Sequence, residues 1–363
     1  MKNLNVFLWE WKHFIRSPFK ILAVLLFVVA SLYGLHNGAH LYHKQQAEIE
    51  RITTKAEEDR QKIMEDHYQL GNLKDEDRPW IDYGVPFWAI WWSYPHHFKT
   101  PSPAMVYSIG QSEQFGFYKR ITFWASPYDA DLAEEIANPE RLQSGSLDFS
   151  FALLFLLPLV LLVLLYNLKS TEAEQGFLPL IEVQMPAKNT WILLRMGFYL
   201  LVLLGVSFAL LIYGARLTNV WEKASPAFGQ LFLQILLYLS FWTALYYFIL
   251  INGQTIVGNT LKMSGIYLLF AFIIPAAVHQ FLSINQPTNL MIDFIDVREQ
   301  QEDLYSAPDS VFQAQLNALF PEIMDSPVYG DSTKAAGVRS RSTAALVNEF
   351  KKASIQRIEA ESQ

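Results

Sequence analysis

The stretch that decides the fold is Phe149–Leu168, FSFALLFLLPLVLLVLLYNL, which carries no charged residue. A helix needs about 20 mostly apolar residues to cross roughly 30 Å of hydrocarbon, so this run predicts a transmembrane helix. Pro158 lies inside the run, and spanning helices tolerate proline where neighbouring groups bond the freed backbone.

Four more segments have the same character, and they predict spans at residues 19–36, 191–213, 228–251 and 263–282. The first is short, so a cleaved secretory signal peptide is the alternative. A charged, strongly patterned region precedes it and no small-x-small cleavage site follows, which favours an uncleaved helix. The chain is therefore predicted to be an all-α polytopic membrane bundle with five transmembrane helices.

Composition supports this class and excludes others. Of 363 residues, 52% are hydrophobic and only 17% are charged, whereas an ordinary globular protein has about 25% charged residues. The net charge of −7 argues against a nucleic-acid partner. Because there is no cysteine, disulfides, thiolate nucleophiles and cysteine-ligated metal sites are excluded.

Lysine and arginine near the span ends predict the orientation, because cytoplasmic flanks are enriched in them. Under alternating topology, eight such residues lie on the side of the N-terminus and two on the other. The eight are Lys2, Lys12, Arg16, Lys20, Lys169, Lys188, Arg195 and Lys262, and the two are Arg216 and Lys223. The N-terminus is thus predicted to be cytoplasmic, with residues 37–148 and the tail 283–363 outside.

Residues 1–18 precede the first span and include an amphipathic helix. Apolar residues recur at helical spacing and tryptophans suit the headgroup level, which favours a helix lying in the membrane interface over a frayed leader. Beyond the first span, 41–70 predicts a long charged helix, and 78–128 is rich in aromatic residues and proline. We expect a small extracytoplasmic α or α+β domain at 37–148, in which the aromatic residues form a core and interface belt or, alternatively, a docking surface.

The loop at 169–190 is the most informative segment outside the spans. Its stretch Phe177–Val183 is too short to cross a membrane and unusually apolar for an idle loop. It indicates a small helix that docks on a cytosolic partner, and the alternative is an interfacial connector without a partner. The chain has no GxxxxGK[ST], HExxH or GxSxG motif, so any ATP that drives it must be bound by another chain.

This loop resembles that of the permeases of type-2 ABC transporters. It reads E-x-E-x-G-x-L-x-L from Glu172 to Leu180, followed by Pro186 and a basic residue before the next span. The resemblance covers residues 1–285 and indicates the branch with a large insertion between its first two spans. Three shorter matches support it: FLWEWKHFIRSPFK at 7–20, SIGQS at 108–112 and NPERL with SGSLD at 138–148.

The resemblance implies specific roles and partners. The ATPase-coupling segment would comprise Glu172, Glu174, Gly176, Phe177, Leu178, Leu180 and Pro186. The connecting helix would include Trp9, Trp11, Phe14 and Arg16. The chain itself would be no enzyme and would carry no cofactor. ATP and Mg would bind two copies of a separate ABC ATPase, and a second permease, identical or paralogous, and membrane lipids would complete the complex in the bacterial cytoplasmic (inner) membrane.

One departure from the family is clear from the number of spans. The family has six transmembrane helices and this sequence supplies five, so the sixth is absent. Either the last span has been removed from this sequence, or the C-terminus lies outside.

Several polar residues admit two interpretations. His36, His40 and His43 fall on one helical face, where they form an interfacial polar face or, alternatively, a metal site. Arg195, four residues inside its span, is expected to snorkel to the headgroups, and the alternative is a functional role inside the membrane. Gln230 and Gln234 are expected to bond neighbouring helices, and the alternative is a polar path.

The function predicted from all this is that of the permease subunit of an ATP-driven exporter or extrusion complex. The alternative is a membrane scaffold or sensor that binds a partner through its extracytoplasmic domain. A membrane-embedded enzyme is a third option, which the missing catalytic motifs disfavour.

Overall fold

The computed structural model describes residues 3–84, 88, 96–110, 112, 117–120, 147–184, 189–253 and 255–285, with single residues at 310, 314 and 318. Contacts divide the chain into two units. The first comprises Met1–Ala47, Thr100–Gln114 and Asn138–Phe281, and the second Glu48–Lys99, Phe115–Ala137 and Leu282–Gln363. The segment 37–148 is therefore shared between the units. Most of the tail 283–363 lies outside the described residues, as do residues 85–87, 89–95, 111, 113–116 and 121–128 of the aromatic region.

The described residues are mostly helical. In chain order the helices are α1 (Asn3–Arg16), α2 (Pro18–Ile63), α3 (Phe149–Phe151 and Leu157–Leu165, joined by a π-helical segment, Ala152–Leu156), α4 (Ser170–Glu174), α5 (Leu178–Gln184), α6 (Thr190–Leu217), α7 (Val220–Lys223), α8 (Ser225–Asn252), α9 (Ile256–Leu268) and α10 (Ile274–Asn285). A second π-helical segment, Leu269–Ile273, joins α9 to α10, and a third, Met64–Gln69, follows α2.

Five of these helical stretches are long and apolar enough to cross a membrane, which confirms the predicted number. They begin at Pro18, Phe149, Thr190, Ser225 and Ile256. The first continues without a break into the charged segment that follows, as predicted for residues 41–70. In the first unit their buried faces form one hydrophobic core, with Trp242, Tyr199 and Tyr246 among its largest side chains.

Proline interrupts α3, and neighbouring helices bond the backbone that it frees. Pro158 has no N–H group, so the carbonyl oxygen of Leu154 loses its usual helical donor. The hydroxyl of Tyr238 in α8 donates to that oxygen at 2.7 Å, and Tyr267 in α9 donates to the carbonyl of Phe155 at 3.0 Å. Carbonyl groups near the proline thereby form hydrogen bonds between spans.

Small residues allow close approach where α2 meets other parts of the first unit. A Cβ added to Gly34 would lie 2.5 Å from the backbone of Asp148, and one added to Gly38 would lie 2.7 Å from the carbonyl oxygen of Val106. Glycine is required at both positions because only a hydrogen atom fits. Such small-residue contacts are typical of helices that pack in membranes.

The described part of the second unit contains the end of α2, a turn and a two-stranded ladder. Strands β1 (His96–Phe98) and β2 (Tyr118–Arg120) pair antiparallel. In the turn, the Asp75 carboxylate accepts hydrogen bonds from the amides of Asp77 and Arg78 and from the Arg78 guanidinium. Partial burial works to raise the pKa of Asp75, but these bonds outweigh it, so the pKa lies below its ordinary value.

Candidate functional site

A buried charged network lies where α1, α4 and the first turns of α6 meet. Arg195 in α6 is its centre, and only 8% of the residue is exposed. Its Nε donates to Glu10 Oε1, and its Nη1 donates to Glu172 Oε1 at 2.5 Å and to the Leu168 carbonyl at 2.9 Å. The expectation that Arg195 snorkels to the headgroups is therefore wrong, because its guanidinium points into the protein and binds two carboxylates.

Glu10 enters the network from α1, where it lies on the buried face of an otherwise amphipathic helix. Val6 and Glu10, one turn apart, are both buried, and Phe7 and Phe14 contact the aromatic rings of Phe198 and Tyr199 in α6. The exposed fraction of Glu10 is 0%. A carboxylate so placed requires a cationic partner, because burial of an unpaired charge is very costly.

Two further groups extend the network to α2. The Tyr199 hydroxyl donates to Glu10 Oε2 at 2.9 Å, and the Lys20 ammonium donates to the Tyr199 oxygen at 2.9 Å. The network thus contains two cations, Lys20 and Arg195, and two carboxylates, Glu10 and Glu172, and its formal charge is zero. A balanced set of this kind offsets part of the desolvation cost, whereas removal of one member leaves an uncompensated charge.

Two indole rings enclose the guanidinium. The Cζ of Arg195 lies 5.1 Å from the ring centroid of Trp9 and 5.4 Å from that of Trp191. Cation–π attraction of this kind favours arginine over lysine, since the planar guanidinium stacks on aromatic faces while it bonds carboxylates at its edge. Trp9, predicted to belong to a connecting helix, therefore contacts the centre of the network.

Downstream of Glu172, the chain turns sharply from α4 into α5. Gly176 has φ +78°, in the left-handed region that favours glycine, and no atom lies near its added Cβ. The Gly176 N–H donates to the Ala173 carbonyl at 3.1 Å, and the Phe177 N–H donates to the Glu172 carbonyl at 2.9 Å. This is the usual way for a helix to end at a glycine, and it fixes the direction in which α5 leaves the network.

Helix α5 has one packed face and one exposed apolar face. Leu178 and Ile181 pack against the core of the first unit. Phe177, Leu180 and Val183 are 57%, 64% and 88% exposed, and they recur every three residues. We call these three residues the apolar stripe.

The segment before α5 is tied to two other spans as well. The Lys169 ammonium donates to the Ile251 carbonyl at the end of α8 at 2.5 Å. Glu174 Oε1 accepts from the Ile256 N–H at the start of α9 at 2.8 Å, and Asn259 in α9 donates to the Ser170 hydroxyl at 2.7 Å. Residues 168–174 consequently contact α6, α8 and α9, so a displacement of this segment acts on three spans.

The residues predicted for coupling and connection occupy different positions at this site. Glu172 lies in the network, Glu174 bonds the start of α9, and Gly176 forms the turn. Phe177, directly before α5, and Leu180, on α5, are exposed, whereas Leu178 packs inward. Pro186 lies outside the described residues. On α1, Trp11 and Phe14 contact Phe198 and Tyr199 respectively, and Arg16 is exposed.

The other polar residues noted in the sequence, the three histidines of α2 and the two glutamines of α8, lie outside the charged network. His43 forms a hydrogen bond with the Leu217 carbonyl at 3.0 Å, and no group of three described His, Asp or Glu side chains is arranged to hold a metal ion. Gln230 and Gln234 are exposed and have no hydrogen bond to another described side chain or backbone group, so the expected interhelical bonds are absent there.

Sequence reasoning missed three members of the network: Glu10, Lys20 and Tyr199. A usable signal was present, because Glu10 is the one acidic residue of α1 and shares a helical face with Val6 and Phe14. An acidic residue on the apolar face of α1 and an arginine inside a span each need a partner of opposite charge. The sequence could therefore have predicted that Glu10 and Arg195 pair with each other.

Comparison of the chain with protein-family models, with curated proteins and with solved structures gives no significant match.

Proposed function

We propose that this chain is the permease subunit of an ATP-driven transport complex of the type-2 ABC class, oriented with α1, α4 and α5 in the cytoplasm. A separate ATPase chain, which binds ATP and Mg, would dock on α5. The observation that carries the proposal is the apolar stripe, a row of exposed apolar side chains on a helix too short to cross a membrane.

The surroundings of the stripe suit the transmission of force. A docking helix can act on a bundle only if it is held firmly at its other face. Helix α5 follows directly from a segment that is bonded to α6 through Glu172, to α8 through Lys169 and to α9 through Ser170 and Glu174. Closure of the ATPases would thus move the ends of three spans together, which supports export or lateral extrusion of a cargo enclosed between two permeases.

The test is to place charge on the exposed face without disturbing the packed one. Leu180→Glu with Val183→Glu puts two carboxylates on the stripe, where apolar contact with the ATPase would otherwise form. Loss of two buried apolar contacts corresponds to about 2–4 kcal/mol, so binding should weaken at least thirtyfold. The measurements are the amount of ATPase that co-purifies from membranes and its hydrolysis rate with and without the permease.

The matched control is Leu70→Glu, which makes the same change at a leucine that is 75% exposed in the second unit. It should leave both readouts unchanged. ATPase binding within twofold of the parent in the stripe variant would refute the docking proposal. Purification of the parent chain with other partners and without any ATPase would instead support the scaffold or sensor function.

A further inference from the structure

A cavity of about 430 Å³ lies beside the charged network, between α1, the start of α2, the α4–α5 segment and α6. Its lining includes both signs of charge, from Lys20, Arg195, Glu10 and Glu172, and apolar surface from Trp9 and Leu180. This combination suits a small ligand that is itself both charged and partly apolar.

The cationic wall of the cavity has N–H donors that form no hydrogen bond within the described residues. Lys20 is 8% exposed, and an ammonium has three N–H donors. Within the described residues it donates to the Tyr199 hydroxyl, and no carboxylate lies within ion-pair distance of it. His13 and Ser17 line the same cavity and add further donors suited to phosphate oxygens.

The anionic wall has an unused acceptor. Glu172 Oε1 accepts from Arg195, but Glu172 Oε2 is buried and has no hydrogen-bond donor among the described residues. A buried carboxylate oxygen without a donor is unfavourable, so a ligand N–H placed there would bind favourably.

We propose that this cavity binds a phosphate diester joined to a primary ammonium, the headgroup of an aminophospholipid such as phosphatidylethanolamine. The phosphate accepts from Lys20, and the ammonium donates to Glu172 Oε2 beside the Trp9 ring. A zwitterion fits best because the four charged groups of the wall sum to zero. The proposal does not depend on ATPase docking, although Leu180 borders both the cavity and the apolar stripe.

A lipid source for this headgroup is favoured by the surface of α1. Leu8, Trp11 and Ile15 are 57%, 48% and 52% exposed on that helix. Helices with such an exposed apolar face lie at the level of the lipid headgroups. The cavity beneath α1 is then within reach of a headgroup, while the glycerol and acyl chains remain outside.

The experiment uses the full chain purified in detergent, with phosphatidylethanolamine, phosphatidylcholine or phosphatidylglycerol added, and native mass spectrometry to count bound lipid. Phosphatidylethanolamine should bind at least tenfold more tightly than either of the others. Phosphatidylcholine lacks an N–H donor for Glu172, and phosphatidylglycerol lacks the cation. Equal binding of phosphatidylcholine, or tighter binding of phosphatidylglycerol, would overturn the proposal.

Variants locate the site. Lys20→Met and Glu172→Gln should each weaken phosphatidylethanolamine binding about tenfold, as expected for loss of a charge-assisted hydrogen bond. Lys12→Met, at an exposed lysine of α1, should leave it unchanged. Lys20→Arg keeps the cation and should retain binding within threefold, so loss in Lys20→Met with retention in Lys20→Arg is not a folding defect. Unchanged binding in Lys20→Met would overturn the proposal.

Soluble glycerophosphoethanolamine distinguishes the two sources of the headgroup. If glycerophosphoethanolamine displaces the lipid only at concentrations at least tenfold higher than that of the lipid, a membrane lipid is supported as the ligand. Displacement at equal concentration supports the same headgroup chemistry from a soluble compound and overturns the lipid source.

Discussion

Replacing Arg195 with methionine should destabilise the folded chain by about 3–5 kcal/mol, the usual cost of breaking a buried ion pair. The structure explains the size of the effect. The substitution leaves Glu10, with 0% exposure, and Glu172, with a side chain 15% exposed, near each other without a shared cation. It also removes the donor to the Leu168 carbonyl, which adds about 1 kcal/mol.

The assay is thermal unfolding of the purified chain in detergent, followed by circular dichroism and by tryptophan fluorescence. A loss of this size lowers the unfolding temperature by on the order of 10 °C. Trp9 and Trp191 flank the guanidinium, so their emission should change as well.

The control is Arg51→Met, which breaks an Arg–Glu pair of similar length with Glu48 at the surface, where the arginine side chain is 65% exposed. Exposed pairs contribute little to stability because water and salt screen them, so this variant should melt close to the parent. Adding Glu10→Gln to Arg195→Met should recover part of the loss, with a coupling energy of about 1–3 kcal/mol. Equal melting of the two arginine variants, or strictly additive effects, would refute a buried network.

Three further outcomes are expected. Gly34→Ala should lower the free energy of unfolding by about 1–3 kcal/mol because its Cβ would meet the backbone of Asp148. Gly205→Ala, whose Cβ would have nothing within 4 Å, should instead stabilise its helix by about 0.5–1 kcal/mol. Changes of the same sign in the two variants would be inconsistent with the packing. Gly176→Ala should cost about 1–2 kcal/mol because alanine is strained in the left-handed conformation that this turn requires, and it should speed hydrogen exchange across α4 and α5. Unchanged exchange would contradict this role of the glycine. The pKa of Asp75 is lowered by folding, so the stability that it contributes is present at neutral pH and is lost as the pH falls through its folded pKa. Protection of the turn amides from hydrogen exchange, corrected for the intrinsic exchange rates, should therefore decrease in acid in the parent. The same protection should not decrease in Asp75→Asn.

The spans were predictable because hydrophobic length is a local property. A run such as Phe149–Leu168 needs no partner to be recognised, and the same holds for the periodicity of α1 and the helical continuation of α2. Five long apolar helices were expected, and five are present within the part of the chain that the structure describes.

The candidate site was only half predictable because its contacts are not local. Glu10 and Arg195 are 185 residues apart, and no periodicity relates them. The sequence shows that both charges exist, but it does not distinguish pairing from snorkelling, since either satisfies an arginine near the end of a span. Likewise, the sequence does not distinguish Leu178 from Leu180. Only the orientation of α5 about its axis shows that Leu178 is packed and Leu180 is exposed.

The proline in α3 has an evolutionary consequence. Tyr238 donates to the Leu154 carbonyl, whose usual helical donor is missing because Pro158 has no N–H group. An alanine at 158 would supply that donor, so the carbonyl would be satisfied without the tyrosine hydroxyl. The two positions should therefore vary in concert among homologues, with phenylalanine at 238 where the proline is lost, so this pair is a marker of helix contact that an alignment could read without a structure.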